Sequence, residues 1–284
     1  MRRRSGGFIL LMVLVLLALA ATALAGVCRT SMRNELAVQD EVDDLQRRWG
    51  VLSCREAVLP QAELLLRRAE LAANRPVRSI PMTVSLGGQT FAMVVADEQA
   101  KIDVNTVYAS QGRPAVERVV RNAAERLGGG GRLSAALRAD LRPGPASIAF
   151  GSFGQLFTSD DPARIERVSD DLSCWGDGKL MLQRASATAL EAVCEPIIGV
   201  AGMRRIEAIQ SVDPTASVAV VLSDPQIAQT GQTTQLNDVL TDVSHCHSLW
   251  IMQTDRAAPG RASYHFAISE ESEDASAKIS CFSW

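Results

Sequence analysis

The sequence predicts an α+β fold: a long N-terminal transmembrane helix packs on an antiparallel sheet, and a helical subdomain is inserted into that sheet. Three observations predict it. The first is a run of 21 residues, Phe8 to Cys28, without a charged side chain. The second is a hairpin pattern over 82–95, with further alternating segments near the C-terminus. The third is the stretch 113–215 between those strand signals, where apolar residues recur at helical spacing. With 284 residues, 47% of them hydrophobic, the chain can bury one or two ordinary cores once the apolar run is set aside.

The apolar run, at ~1.5 Å per residue, reaches about 31 Å, which matches the hydrocarbon thickness of a bilayer. Leu, Val, Ala, Ile and Met dominate it. A helix there makes all its backbone bonds internally, as lipid demands. Arg2, Arg3 and Arg4 precede it and a mixed, slightly acidic region follows, so positive charge orients the N-terminus inside and the rest outside. Three processing readings stay open beside a plain, uncut anchor. A cleaved signal peptide would exit at Ala23 to Ala25, although its apolar core exceeds the usual length of about 7–15 residues. A lipoprotein signal would use Cys28, but Val27 is bulky for the small residue expected there. In the third, the cut falls after Gly7 and leaves Phe8 as the new N-terminus. A short basic leader, a glycine and a phenylalanine opening an apolar helix resemble a class III signal, the prepilin type. That helix would be kept as membrane anchor and assembly element.

Beyond Arg29 the helical pattern continues through Leu36, Val38, Val42, Leu45 and Trp49, with charges between them. A continuous helix from Phe8 to about Leu59 would be roughly 75 Å long. Its first half belongs in lipid or against neighbouring helices, and its second half is expected to pack on a head domain. The pattern resumes over Ala62 to Leu71 and stops at Asn74, Arg75 and Pro76. Next, Met82, Val84 and Leu86 alternate with polar residues, Gly87 and Gly88 follow, and Phe91, Met93 and Val95 alternate again, a tight antiparallel hairpin. Lys101 to Thr106 alternates once more and reads as a third strand.

From Arg113 the reading is helical. Pro114 opens a helix to Leu127, Gly128 to Gly131 break it, Arg132 to Leu141 form a short helix, and Arg142 to Pro145 a turn. Asp161 as N-cap with Pro162 behind it starts another helix ending near Leu172. Trp175 to Leu182 echoes the earlier element: an acidic turn, a lysine, an alternating strand and an amide residue. A helical pair follows, Thr188 to Cys194 and Met203 to Gln210, around Gly199 and Gly202. The C-terminal part returns to strands: Ser217 to Leu222, Leu249 to Gln253, Tyr264 to Ile268 and Lys278 to Trp284. Asp255 to Gly260 reads as a turn and Glu270 to Asp274 as a solvated loop. The resulting division is 1–7 leader, 8–28 transmembrane helix, 29–75 helical stalk, 76–112 first part of the sheet, 113–215 helical insertion and 216–284 closing strands.

Net charge is −3, and without Arg2, Arg3 and Arg4 the balance is 26 Lys+Arg against 32 Asp+Glu. A mildly acidic exported part is poor footing for binding polyanions. None of the six cysteines pairs with another at the spacing of a zinc or redox motif. An extracytoplasmic location permits disulfides, and Cys246 with Cys281 is the preferred pair because both fall in strand-like segments. His245, Cys246 and His247 invite a metal reading, but on a strand the cysteine points away from the histidines. Asp97 and Glu98 read as a turn rather than an acid/base couple. No catalytic motif emerges, so the expectation is a non-enzymatic chain without a small-molecule substrate.

The anchor, the hairpin, the paired lysine-strand elements and the inserted helices together resemble the minor pseudopilins of the general secretion pathway protein K family, from bacterial type II secretion systems. The residues that carry the resemblance are Gly6 and Gly7 before Phe8; Asp97 and Glu98 leading into Lys101 to Thr106; and Asp170 to Leu172 with Trp175 to Lys179. Most pilin-like proteins have a glutamate five residues after the cut, whereas here that position is Met12, and the family is the member that lacks the acid. The second element departs from the family pattern, with Gln183 and Arg184 where Asn and Thr are usual. The resemblance implies cleavage by a prepilin peptidase between Gly7 and Phe8. It implies assembly with other minor pseudopilins through a helix face bearing Phe8, Met12, Leu16 and Leu19, and a place at the pseudopilus tip. It also implies an inner-membrane protein with a cytoplasmic N-terminus and a periplasmic head. Family members bind calcium, and Asp160, Asp161, Asp170, Asp171 and Asp224 are candidates in kind only. Two other readings stand beside it. One is a minor pilin of a type IV pilus. The other is a membrane-anchored DNA receptor gripping phosphates through a helix-hairpin-helix-like segment near 187–210 with Arg204 and Arg205, against which the net negative charge argues.

Overall fold

The computed structural model describes residues 6–126, 150–156, 162–254, 262–271 and 277–283. Helix α1 runs from Gly6 to Val58, 53 residues. Thr22 and Thr30 place their hydroxyls back onto the carbonyls of Leu19 and Gly26, so neither Thr22 within the apolar run nor Thr30 just beyond it leaves a stranded donor. The chain divides into two compact units, Met1–Gly50 and Val51–Trp284. In the first, Leu36, Val38, Val42, Leu45 and Trp49 of α1 are exposed. In the second, Val51, Cys54 and Val58 from the last turns of α1 join a hydrophobic core.

In the second unit a 3₁₀ turn, Leu59–Gln61, leads to α2, Ala62–Ala73, which ends on Asn74 in the left-handed conformation. Strands β1 (Ser79–Leu86) and β2 (Gln89–Asp97) form the expected hairpin, with Gly87 and Gly88 both at positive φ. Strands β7 (Cys246–Thr254), β8 (Ala262–Glu271) and β9 (Ala277–Ser283) complete an antiparallel sheet of order β1-β2-β7-β8-β9. The sheet thus joins a hairpin from before the helical insertion to strands from after it. The predicted helix 132–141, the breaks at 128–131 and 142–145, the Asp161 cap and the turn 255–260 lie outside the described residues. Of the predicted 270–274 loop, Glu270 and Glu271 belong to β8.

Between the two parts of the sheet lie mostly helices. Strand β3, Ile102–Asp103, is two residues long and gives way to α3, Val104–Gln111, then α4, Arg113–Arg126. The third strand predicted over Lys101 to Thr106 is thus cut short. Asp103 accepts hydrogen bonds from Asn105 N and Thr106 Oγ1, capping a helix where alternation suggested a strand. Short helices α5, Phe153–Leu156, and α6, Pro162–Val168, precede β4, Leu172–Ser173, and β5, Leu180–Met181. The long α7, Ala187–Val212, is two helices meeting at Gly199, whose φ of 71° a non-glycine residue rarely adopts. This agrees with the predicted helical pair.

The strand expected over Ser217 to Leu222 is instead α8, Val218–Ser223. Ser217 caps it by accepting from Val220 N, and Val218 and Val221 are buried one turn apart, so packing overrides the β-propensity of valine. Helices α9 (Pro225–Ala228) and α10 (Thr233–Val239) and strand β6 (Leu240–Thr241) follow. Each element of the sequence echo opens on a short parallel pairing, β3 with β4 and β5 with β6.

Side-chain alternation gives the sheet two buried faces. On one, Phe91, Met93, Val95, Leu249, Ile251 and Ala267 pack against Val51, Cys54, Val58, Leu59, Ala62 and Leu66. The helix-on-sheet arrangement read from the sequence is thus present, made by the last turns of α1 and by α2. On the other, Trp250, Phe266 and Ile268 meet the helical layer. There Phe153, Trp175, Phe266 and Phe282 form a chain of aromatic contacts with ring centroids 5.0–6.1 Å apart.

Candidate functional site

Two features stand out: an exposed apolar helix, and a buried ionic staple within the head. Gly7 and Phe8 lie in the first turns of α1. Met12, Leu16 and Leu19 follow at spacings of four and three, on one helix face, and are 58%, 62% and 61% exposed. This helix is long and apolar enough to cross a membrane. Water tolerates such a surface poorly, and at ~25 cal/mol per Å² of buried apolar area a bilayer or a bundle of similar helices stabilises it strongly.

The staple is centred on Arg184, on the loop after β5, whose side chain is 2% exposed. Its Nη1 donates to Glu63 Oε2 at 2.7 Å and to Asp97 Oδ2 at 2.9 Å. Its Nε donates to Glu70 Oε1 at 2.7 Å, and Nη2 reaches Glu63 Oε1 and Glu70 Oε2. Glu63 and Glu70, two turns apart on α2, grip both edges of the guanidinium. Burial opposes the charge on Arg184, but hydrogen bonds to Glu70, Glu63 and Asp97 overcome it and raise its pKa further. Burial likewise pushes the Glu63 carboxyl up, yet His247, Arg184 and Arg67 together hold it well below the usual carboxylate range. His247 Nε2 lies 3.1 Å from Glu63 Oε2.

Asp97 and Glu98 are both fully buried. Asp97 caps a 3₁₀ turn over Glu98–Ala100 and accepts from Ser244 Oγ at 2.6 Å. Glu98 pairs with Lys101 and accepts from Ser248 Oγ. Gln99 bonds Asp177, the Lys179 carbonyl and His245 N, tying the first lysine element to the second and to the start of β7. Close approach of the two elements leaves no room at Gly178: its φ is +85°, and a Cβ there would meet Thr106 Oγ1 at 2.9 Å. The network therefore locks α2, the end of β2, the start of β7 and both lysine elements into one rigid junction.

Read as a turn, Asp97 and Glu98 prove to be the buried acids of this junction. Arg184, noted only as a departure from a family pattern, is its central cation. Its legible signal is Glu63 and Glu70, seven residues apart on one helical face. The structure does not bring Cys246 and Cys281 together. All six cysteines are free thiols; Cys246 is buried in the helical-side core, and exposed Cys281 lies 3.0 Å from Arg55 Nη1. Strand β8 runs between them, with Cys246 opposite Glu270 and Cys281 opposite Ala267. Two strand spacings and three residues along the strands separate their backbones by roughly 14 Å, beyond disulfide reach.

Of the histidine pair, His247 is buried against Glu63, and His245 is exposed. Arg205 is held by Asp224 at 2.7 Å, and Asp224 also caps α9, so both charges of that candidate phosphate or calcium site are already engaged. Asp171 lies 3.4 Å from Arg78. Asp160 and Asp161 lie outside the described residues. Among the described residues no group of three or more His, Cys, Asp and Glu side chains is arranged to hold a metal ion.

No protein-family model matches the chain, and no curated protein matches it. Among solved structures, the chain is similar to one in the crystal structure of the GspK-GspI-GspJ complex from the type 2 secretion system of enterotoxigenic Escherichia coli. The identity is 14% and the TM-score 0.48, over 87% of this chain and 99% of that one.

Proposed function

We propose that this chain is a minor pseudopilin-like structural subunit of a type II protein secretion system, without enzymatic activity. The observation that carries the reading is α1: a single helix whose apolar half is exposed, and whose last turns are built into a folded head. A cleaved signal peptide has no need to continue unbroken into the core of the domain it exports. A retained assembly helix does.

A prepilin peptidase cuts between Gly7 and Phe8, and α1 stays in the inner membrane with the head in the periplasm. Met12 offers no carboxylate to the amine of a neighbouring subunit, which suits a terminal place in the fibre. The helical layer adds bulk to the head beyond what one helix and one sheet need, and this bulk suits a cap above which no further subunit stacks. Calcium remains a proposed ligand of the head, with Asp170 its candidate once Asp224 is committed to Arg205 and Asp171 to Arg78. The DNA-receptor reading loses support from that same ion pair.

Pull-down of co-expressed pseudopilins tests the proposal. Capture is expected with Phe8 to Leu24 intact and lost when that segment is deleted; equal capture from both would contradict it.

A further inference from the structure

Among the described residues, strand β1 is an edge of the five-stranded sheet. Asp97 N donates to Arg78 O at 2.9 Å, which fixes the hydrogen-bonded pairs of the hairpin. Such pairs alternate along an antiparallel ladder, so Ile80, Met82 and Val84 bond β2. Ser79, Pro81, Thr83 and Ser85 then turn their backbone groups to the open edge. Pro81 agrees with this register, because its missing N–H falls on the open side. No charged residue lies between Pro81 and Leu86 to discourage another strand, whereas the opposite edge, β9, carries Lys278.

Beside that edge lies a cavity of about 330 Å³ on the helical face of the sheet. Its walls include Pro81 and Thr83 of β1, then Ala92, Trp250, Met252 and Tyr264 in the same two cross-strand rows. Glu166, on α6, lines it too and is half-buried. Among the described residues no hydrogen bond or ion pair engages its carboxylate; burial and then Asp170 push that carboxyl up, against a smaller pull from Arg167. An acid in apolar surroundings calls for a cation, and a cation on a long apolar stem suits such walls.

We propose that the β1 edge and this cavity together form a strand-addition site for an extended segment of another polypeptide. That segment carries a lysine or arginine with an apolar residue two positions away on either side. Its backbone pairs with Ser79, Thr83, Ser85 and the Pro81 carbonyl, and its apolar side chains continue the helical face of the sheet. The basic side chain lays its methylenes across Thr83 toward Ala92 and brings its charge to Glu166. Backbone pairing supplies affinity, and the acid in the cavity supplies selection. No part of α1 takes part, so the site stands or falls apart from the secretion reading.

The test uses the full-length chain in phosphatidylcholine nanodiscs, with empty discs as the blank. Fluorescein-labelled probes have the sequence Thr-Val-Thr-X-Thr-Val-Thr, where X is Lys, norleucine or Glu. Fluorescence anisotropy is expected to rank the Lys probe about tenfold above norleucine, with Glu weakest. Glu166→Gln should bring the Lys probe down to the norleucine probe and leave the latter unchanged. N-methylation of the probe amides that face β1 should abolish binding. Thr83→Pro should do the same, since it removes an edge donor without touching the ladder to β2. Equal binding of the three probes, binding of none, a Lys preference that survives Glu166→Gln, or binding that tolerates N-methylation overturns the proposal. So does self-association of the chain that Thr83→Pro abolishes, because the edge would then belong to a second copy.

Discussion

At the residue scale, Arg184 has the largest expected effect. Replacing it with Met leaves Glu63, Glu70 and Asp97 facing one another with their central cation gone. Breaking a buried network of this kind costs about 3–5 kcal/mol, so the urea midpoint should fall sharply; a midpoint within error of the parent would refute the staple. Arg184→Lys keeps the charge but loses the fork, and an intermediate loss is expected. Acidity separates two further groups. The Glu63 carboxyl is held below its ordinary value in the fold, so its contribution is present above roughly pH 4.3 and is lost as pH falls below that. Asp103 works in the opposite sense. Burial raises it to about 6 despite the bonds from Thr106 and Asn105, so the fold keeps a proton that the unfolded chain releases. Stability from this group therefore grows as pH drops from about 6 toward its unfolded value near ~4. Between them the two give a stability maximum at mildly acidic pH in denaturant titrations. Glu63→Gln should flatten the acid limb and Asp103→Asn the other; a profile unchanged by either variant would contradict these assignments.

At the scale of elements, Gly178 is the position where two lysine elements touch. Gly178→Ala combines a positive φ with a Cβ 2.9 Å from Thr106 Oγ1, and a loss of about 1–2 kcal/mol is expected in thermal unfolding. The variant Thr106→Ser should not relieve it, since the hydroxyl remains, whereas Thr106→Ala should relieve it in part. The hairpin at Gly87–Gly88, the long helix, the α7 pair and the closing strands were legible because each carries a clean period bounded by turn residues or chain breaks. Two strands misread as such show why periodicity alone fails: Val104 and Val218 sit just behind Asp103 and Ser217, and each cap satisfies helix N–H groups that a strand would not present. The junction was harder still. Glu63, Glu70, Asp97, Glu98, Lys101 and Arg184 are spread over more than a hundred residues, and only the folded sheet brings them within hydrogen-bond distance.

At the scale of the whole molecule, the two compact units have different needs. Residues from Val51 onward hold two cores, one on each face of the sheet, whereas α1 before that point has none. A chain lacking 8–28 is therefore expected to remain soluble and to unfold cooperatively, with the near-UV circular dichroism of its aromatic cluster intact. Loss of that signal on deletion would mean that the head depends on its anchor. The central claim is that the apolar helix stays in the finished protein. Mass spectrometry of the native chain extracted from membranes reads this directly. The account predicts a mature N-terminus at Phe8 in the membrane fraction; a soluble native chain beginning at Gly26 would contradict it.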